Sequence, residues 1–163
     1  AIAAAADEAQ RLGFETRVIG INVEGDARAA AQAHAEIALH SPASSRPLVL
    51  LSGGELTLTV SGQGRGGPNR EYVLALARAL NGAEGIWALA ADTDGIDGSD
   101  DAAGAWVGPD TLARAAALQL DPRMFQAAND SGAFFAALGQ AVVTGPTRTN
   151  VNDFRAILIA PAV

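Results

Sequence analysis

A glycine-rich segment at residues 62–67 could bind an anion, and it continues as Pro68-Asn69-Arg70-Glu71. Backbone N–H groups without side chains can approach an anion closely, and a helix that begins here would add the positive end of its dipole. Arg65 and Arg70 are bidentate donors suited to phosphate or carboxylate. We predict that this turn binds or positions a phosphate. The alternative is a flexible connection with solvated arginines.

The same segment matches the G-x-G-x-x-G pattern of a dinucleotide-binding turn at Gly62, Gly64 and Gly67. The preceding residues 56–60 alternate between apolar and polar, whereas the first strand of a dinucleotide-binding fold is apolar on both faces. Nicotinamide binding is therefore the less favoured interpretation of these glycines.

An acidic loop at residues 92–101 contains five carboxylates in ten residues. Such crowding repels itself unless a cation or the donors of a ligand lie among the carboxylates, so the loop predicts Mg²⁺ or hydroxyl binding. An EF-hand is excluded, because the fifth and twelfth positions counted from Asp92 are Ile96 and Ala103, where oxygen ligands are required. The alternative is a solvated turn whose aspartates cap backbone groups.

A third polar segment at residues 144–153 combines three threonines, two asparagines, Arg148 and Asp153. This mixture of donors and acceptors is what a small polyhydroxy acid would need, although the same side chains could instead satisfy their own backbone. Asn129-Asp130-Ser131 precedes an apolar stretch, and we interpret it as a helix cap.

Composition excludes several other kinds of chemistry. The formal net charge is −7, which opposes nonspecific binding to nucleic acids or anionic membranes. All eleven basic residues are arginines, so neither a P-loop lysine nor a Schiff-base lysine can lie in this chain. Cysteine is absent, which excludes disulfides and thiolate chemistry. No export signal is present, and we expect a cytoplasmic location.

The elements that position these segments alternate between strands and helices. Apolar runs at 48–51 and 86–91 predict strands covered on both faces, and the alternation at 56–60 predicts a strand antiparallel to 48–51. Further strands are predicted at 16–21, 142–143 and 157–159, and helices at 1–12, from 25 to about 40, at 69–80, at 109–118, near 122 and at 130–138. We therefore expect an α/β fold, a three-layer α/β/α arrangement with a mixed sheet that includes one β-hairpin.

We expect one domain over residues 1–163, with a boundary candidate in the loop at 41–47. The sequence lacks an initiator methionine and enters a helical pattern at once, so we expect it to be the C-terminal part of a longer polypeptide.

Four motifs together resemble the MOFRL-domain glycerate 2-kinase family, whose members are also labelled hydroxypyruvate reductases. The resemblance covers about residues 47–159. Its motifs are Leu50-Leu51-Ser52-Gly53-Gly54-Glu55, then Gly64-Arg65-Gly66-Gly67-Pro68-Asn69-Arg70-Glu71, then Thr93-Asp94-Gly95-Ile96-Asp97-Gly98 with Asp101-Ala102-Ala103-Gly104, and finally Thr144-Gly145-Pro146-Thr147 with Thr149-Asn150-Val151-Asn152-Asp153.

The resemblance implies ATP- and Mg²⁺-dependent phosphorylation of D-glycerate to 2-phosphoglycerate. The active site would lie between this domain and an N-terminal domain of the same polypeptide. The resemblance leaves open whether the protein forms a homodimer. Asp94 and Asp97 would hold Mg²⁺ or orient the hydroxyl, and Arg65 or Arg70 would meet phosphate. The expected ligand-binding residues are Gly53, Gly54, Glu55, Gly64, Gly66, Gly67, Asn69, Thr147, Asn150 and Asn152. Two alternatives are an NAD(P)H-dependent hydroxypyruvate reductase and a noncatalytic metabolite-binding domain.

Overall fold

A computed structural model describes residues 1–42, 44–98 and 101–161. The helices are α1 (Ile2–Arg11), α2 (Ala27–Leu39), α3 (Pro68–Leu80), α4 (Thr111–Ala117), α5 (Pro122–Ala127) and α6 (Ser131–Leu138). The strands are β1 (Glu15–Gly20), β2 (Gly25–Asp26), β3 (Leu48–Gly54), β4 (Leu56–Thr57), β5 (Ile86–Asp92), β6 (Gly104–Val107), β7 (Ala141–Val142) and β8 (Asp153–Ile159). None of these helices is long and apolar enough to cross a membrane.

Six strands form one mixed sheet in the order β1-β3-β8-β5-β6-β7. Only β1 and β3 pair in parallel within it, and the other neighbours are antiparallel. Helices lie on both sides of the sheet, so the predicted α/β class with a mixed sheet is confirmed. On one face Leu50, Ile157 and Ala88 are neighbours across three strands, and each is at most 5% exposed.

Small residues let helix α2 pack closely against α3, which itself lies on this sheet. Ala27, Ala31, Ala35 and Ala38 recur at helical spacing on α2 and are at most 2% exposed. Asp26 caps α2, because its Oδ1 accepts from the N–H groups of Arg28 at 3.0 Å and Ala29 at 2.9 Å. The predicted start of this helix is therefore confirmed to within two residues.

The β-hairpin is present, but it lies elsewhere than predicted. Residues 56–60 do not pair with β3, because Gly54 has φ of +130° and turns the chain away from the sheet. The short β4 pairs in parallel with β2 as a separate two-stranded sheet. The hairpin is formed by β5 and β6, which are antiparallel and joined by residues 93–103. Strand β6 was missed, because its four residues carry no strong strand pattern.

Some residues of the predicted loops lie outside the description. Ala43 belongs to the loop at 41–47, and Ser99 and Asp100 belong to the acidic loop. The described part of the acidic loop begins directly at the end of β5.

Candidate functional site

Three of the predicted segments meet along one edge of the sheet. Gly54, Asp153 and Asp92 are register partners on β3, β8 and β5, so they lie side by side. We call the edge formed by residues 53–55, 92–98 and 144–153 the polar rim. The glycine-rich segment reaches it from the side, because α3 begins against Asp97.

Within the polar rim, the acidic loop and the last polar loop bind each other through Thr93 and Thr147. The hydroxyl of Thr93 donates to the carbonyl of Asn152 at 2.8 Å and accepts from the N–H of Val151 at 2.9 Å. The hydroxyl of Thr147 donates to the carbonyl of Thr93, and its N–H donates to the carbonyl of Asp94 at 3.0 Å. Thr147 therefore has a positioning role in the structure, and Thr93 was not singled out from the sequence.

Asp92 and Asp94 place two half-buried carboxylates on the rim. Oδ1 of Asp92 accepts from the N–H of Asp94 at 2.9 Å, and Oδ1 of Asp94 accepts from the N–H of Ile96 at 2.8 Å. Burial raises the pKa of Asp92, the hydrogen bond from the N–H of Asp94 lowers it, and the nearby carboxylates of Asp94 and Asp153 raise it further. These carboxylates lie close enough to repel one another, which is the environment predicted for the acidic loop.

A complete metal site is not formed by the described residues alone, since no group of three acidic or histidine side chains among them could hold a metal. Mg²⁺ is commonly held by one or two carboxylates together with water and substrate phosphates. Asp92 and Asp94 fit such a partial site.

Asp97, the second predicted metal ligand, is buried and caps α3. Its Oδ1 accepts from the N–H of Asn69 at 2.9 Å, and its Oδ2 accepts from the N–H of Arg70 at 2.9 Å and from Nε of Arg70 at 3.0 Å. Burial raises the pKa of Asp97, and the hydrogen bonds and charge of Arg70, with the N–H of Asn69, act in the opposite direction. Both carboxylate oxygens are engaged, which argues against Asp97 as a metal ligand and against Arg70 as a phosphate ligand.

The glycines of residues 62–67 have a packing role. The N–H groups of Gly62 and Arg65 donate to the side chains of Asn129 at 2.8 Å and Asp130 at 2.9 Å, and Gly64 donates to the Ala128 carbonyl at 3.0 Å. A Cβ added at Gly62 would lie 2.0 Å from that carbonyl oxygen. These N–H groups are used within the fold, and the start of α3 is already occupied by Asp97. The geometry therefore does not support the predicted anion-binding turn.

The helix-cap interpretation of Asn129-Asp130-Ser131 is correct in position, because Asp130 is the N-cap residue of α6, but not in the role of the side chain. Asp130 precedes α6 but makes no side-chain cap hydrogen bond to it. The side chains of Asn129 and Asp130 instead accept from the glycine-rich segment, as described above. Asn129 and Asp130 thus bind the glycine-rich segment, which lies more than 60 residues earlier in the chain. Local sequence does not reveal a contact between segments so far apart.

Asp153 joins three segments beneath the rim. Its Oδ1 accepts from Nδ2 of Asn69 at 2.7 Å, and its Oδ2 accepts from the N–H of Leu56 at 3.1 Å and from Nη2 of Arg155 at 2.6 Å. All four side chains lie in the interior, and Asn69, predicted to contact a ligand, is 1% exposed. From the sequence, Asp153 was only one of several polar residues of the segment 144–153. A carboxylate at the first position of an apolar strand was the available signal.

A family model described as the MOFRL family matches residues 48–153 of this chain. The chain belongs to the MOFRL family. The match includes all of the four motifs described above, and the predicted family membership is confirmed.

Relatives of this MOFRL chain carry two kinds of name. A protein of Agrobacterium vitis, provisionally named hydroxypyruvate reductase, is 50% identical over 98% of this chain and 38% of its own length. The D-glycerate 2-kinase of Thermotoga maritima is 39% identical over 90% of this chain and 37% of its own. A solved structure of glycerate kinase from Thermotoga maritima has a TM-score of 0.89 and 37% identity, covering 95% of this chain and 38% of that one. The chain thus spans less than two fifths of the length of each of these three proteins.

The residues of the MOFRL motifs fall into a buried group and an exposed group. Asn69, Arg70, Asp97 and both glycines of the Gly53-Gly54 pair are buried and build the edge. Gly54 approaches Val23 closely, since an added Cβ would lie 2.3 Å from its backbone nitrogen. The predicted residues whose side chains remain accessible at or beside the polar rim are Glu55, Arg65, Asp94, Thr147, Asn150 and Asn152.

Proposed function

We propose that the full-length protein is a glycerate 2-kinase and that the polar rim forms one wall of its active site. The reaction would transfer the γ-phosphoryl group of ATP to the 2-hydroxyl of D-glycerate. Relatives named glycerate kinase support the reaction class, and their longer chains support a second wall built by the rest of the polypeptide.

The observation that carries the proposal is the composition of the accessible rim. Asp92 and Asp94 lie beside a loop that presents Asn150 and Asn152, and the whole chain contains neither lysine nor cysteine. Phosphoryl transfer depends on positioning and charge stabilisation rather than on a protein nucleophile. This set of acidic and amide side chains suits that chemistry.

The accessible residues have distinct proposed roles. Asp94, with Asp92, holds Mg²⁺ or accepts a hydrogen bond from the 2-hydroxyl. Asn150 and Asn152 donate to the carboxylate or hydroxyls of glycerate, and exposed Arg65 offers a guanidinium to phosphate. When bound at the two aspartates, Mg²⁺ would supply positive charge to the phosphate oxygens. Asp97 and Arg70 hold the edge in place.

Hydroxypyruvate reduction with NAD(P)H is the second candidate, because of the Agrobacterium vitis relatives' names. Its sequence support was the G-x-G-x-x-G match. Backbone groups of residues 128–130 now lie where a pyrophosphate would need to approach those glycines. A noncatalytic metabolite-binding domain would use the same exposed side chains without turnover.

The test is an assay of the full-length protein with D-glycerate, ATP and Mg²⁺, in which phosphoglycerate is detected directly. A parallel reaction contains hydroxypyruvate and NADH. We expect phosphoglycerate that depends on ATP and Mg²⁺, and no oxidation of NADH. Oxidation of NADH without phosphoglycerate would establish the reductase instead, and glycerate binding without either reaction would establish a binding domain.

A further inference from the structure

Both tryptophans of the sequence lie on the face of the sheet that is turned away from α2 and α3. Trp87 on β5 is 40% exposed and Trp106 on β6 is 37% exposed. Their strand neighbours Ala88 and Val107 belong to the buried core on the opposite face. The two indole rings line an open depression of about 200 Å³. We call this region the apolar face, and it consists of Val49, Trp87, Leu89, Trp106, Ala156 and Leu158.

The apolar face is continuous across four strands. Val49, Leu158 and Trp87 form one row on β3, β8 and β5. Ala156, Leu89 and Trp106 form the next row on β8, β5 and β6. Because neighbouring strands are about 4.8 Å apart, these side chains form one patch rather than scattered exposed residues.

The sequence of these strands is that of strands covered on both faces. An antiparallel sheet with one face in water carries polar residues at alternate positions. On this face β5 has Trp87, Leu89 and Ala91, and β8 has Phe154, Ala156 and Leu158, all of them apolar. The burial along β5 nevertheless alternates, with Ile86, Ala88 and Ala90 buried on the core side and Trp87, Leu89 and Ala91 only partly exposed on this side. The apolar side chains of β5 and β8 on this face are therefore typical of a face packed under another element, and the described residues do not supply that element.

Helix α1 lies on the same side of the sheet as the apolar face, but it covers only the end formed by β1 and β3. It packs against β1 and β3. Ile2 lies against Gly53, and Nε2 of Gln10 donates to the hydroxyl of Thr16 at 2.8 Å. Helix α3 packs on β5 and β6 from the opposite face. Among the described elements, Trp87 and Trp106 thus lack a helix over them.

We infer that a helix from the part of the longer polypeptide outside these 163 residues packs on the apolar face. More than half of the length of each solved relative has no counterpart in this chain, so ample polypeptide is present to supply the cover. Sheets in α/β proteins are covered by helices of the same chain, and the absence of charged residues from the apolar face fits a permanent intramolecular contact. The inference is independent of the proposed function.

Thiol labelling of the full-length protein tests the cover directly. The 163 residues contain no cysteine, so a thiol introduced here is identified by the mass of its own peptide. Trp106→Cys reports on the apolar face. Met124→Cys is the control, because Met124 is 68% exposed on the remote α5. We expect the maleimide reaction at position 106 to be at least about tenfold slower than at position 124 in the native protein, and equal in urea.

Ala156→Cys repeats the measurement with a smaller change in volume, in case removal of the Trp106 indole unfolds the protein. Equal native rates at the face and at the control would overturn the inference. Protection that disappears on dilution would also overturn it, because the cover would then be a second copy of the protein. Protection at every concentration identifies a cover from the same chain.

Discussion

The two aspartates predicted to bind Mg²⁺ differ in what surrounds each carboxylate. Asp97 is 1% exposed and forms an ion pair with Arg70, whereas Asp94 is half-buried on the rim and accepts one local hydrogen bond. Removing one partner of a buried pair leaves an uncompensated charge in the interior. A charge at an accessible loop has no such effect on folding.

We therefore predict that the change of aspartate to asparagine lowers stability at position 97 and lowers activity at position 94. Asp97→Asn is expected to lower the free energy of unfolding by about 3–5 kcal/mol, measured by chemical denaturation. Asp94→Asn is expected to change it by less than about 0.5 kcal/mol. In the full-length protein Asp94→Asn is expected to reduce glycerate phosphorylation at least about tenfold. Unchanged turnover at saturating Mg²⁺ would remove Asp94 from any essential role, and unchanged stability of Asp97→Asn would contradict the capping role.

His34 gives a pH dependence with a defined sign. Its Nδ1 lies 2.8 Å from the Tyr72 hydroxyl, and burial, followed by the charge of Arg155, lowers its pKa from 6.5 to about 4. Between these values the unfolded chain binds a proton that the folded chain does not. The stabilisation of the folded state by neutral His34 is therefore complete above pH 6.5 and is lost as the pH falls towards 4.

We expect this loss of stability to be on the order of 2 kcal/mol. It is measured as the difference in the free energy of unfolding between the two ends of that pH range. His34→Gln keeps a polar partner for Tyr72 and should flatten the dependence. His40→Gln, at the exposed end of α2, is the matched control for exchanging a histidine. An unaltered pH dependence in His34→Gln would show that another group is responsible.

At the scale of elements, the glycine-rich segment and the start of α6 are held together by close backbone approach. A Cβ at Gly62 would meet three backbone atoms of Ala128, the nearest at 2.0 Å. A Cβ at Gly66 would meet chiefly the Ser131 hydroxyl, at 2.5 Å, and that side chain can rotate. Alanine substitutions at these two glycines can therefore be compared, because only the one at Gly62 would clash with backbone.

Gly62→Ala is expected to lower the free energy of unfolding by about 1–3 kcal/mol, because backbone cannot move aside easily. Gly66→Ala should have the smaller effect. Denaturant unfolding of both variants gives the comparison. If Gly62→Ala left stability intact and raised only the KM for ATP, the segment would be a nucleotide site, as its composition first indicated.

Local sequence predicted most elements, because helix starts and strand runs depend on neighbouring residues. The start of α2, the apolar runs of β3 and β5 and the α/β class all followed from such patterns. The partner of β4 did not, because it depends on the turn at Gly54. Asp97 and Asp153 gained their roles through contacts with Asn69, which lies 28 and 84 residues away along the chain. No periodicity records contacts of that kind.

For the whole molecule, the polar rim alone should be insufficient for catalysis. This chain has no lysine and covers 37% of the length of the Thermotoga maritima D-glycerate 2-kinase. We predict that the 163 residues alone produce no phosphoglycerate under conditions in which the full-length protein does. Circular dichroism of the same sample serves as the control for folding. Turnover by a folded fragment at the rate of the full-length protein would show that the rim is a complete site.

Strand β8 lies between β3 and β5 in the middle of the sheet, although it follows the other described strands along the chain. The pair β1-β3 and the trio β5-β6-β7 share no ladder with each other. Both groups are synthesised before residues 153–159, and each has an unpaired apolar strand edge until β8 arrives. Completion of the sheet therefore requires residues 153–159. A chain that ends before residue 153 lacks the central strand, so no ladder joins its two groups of strands.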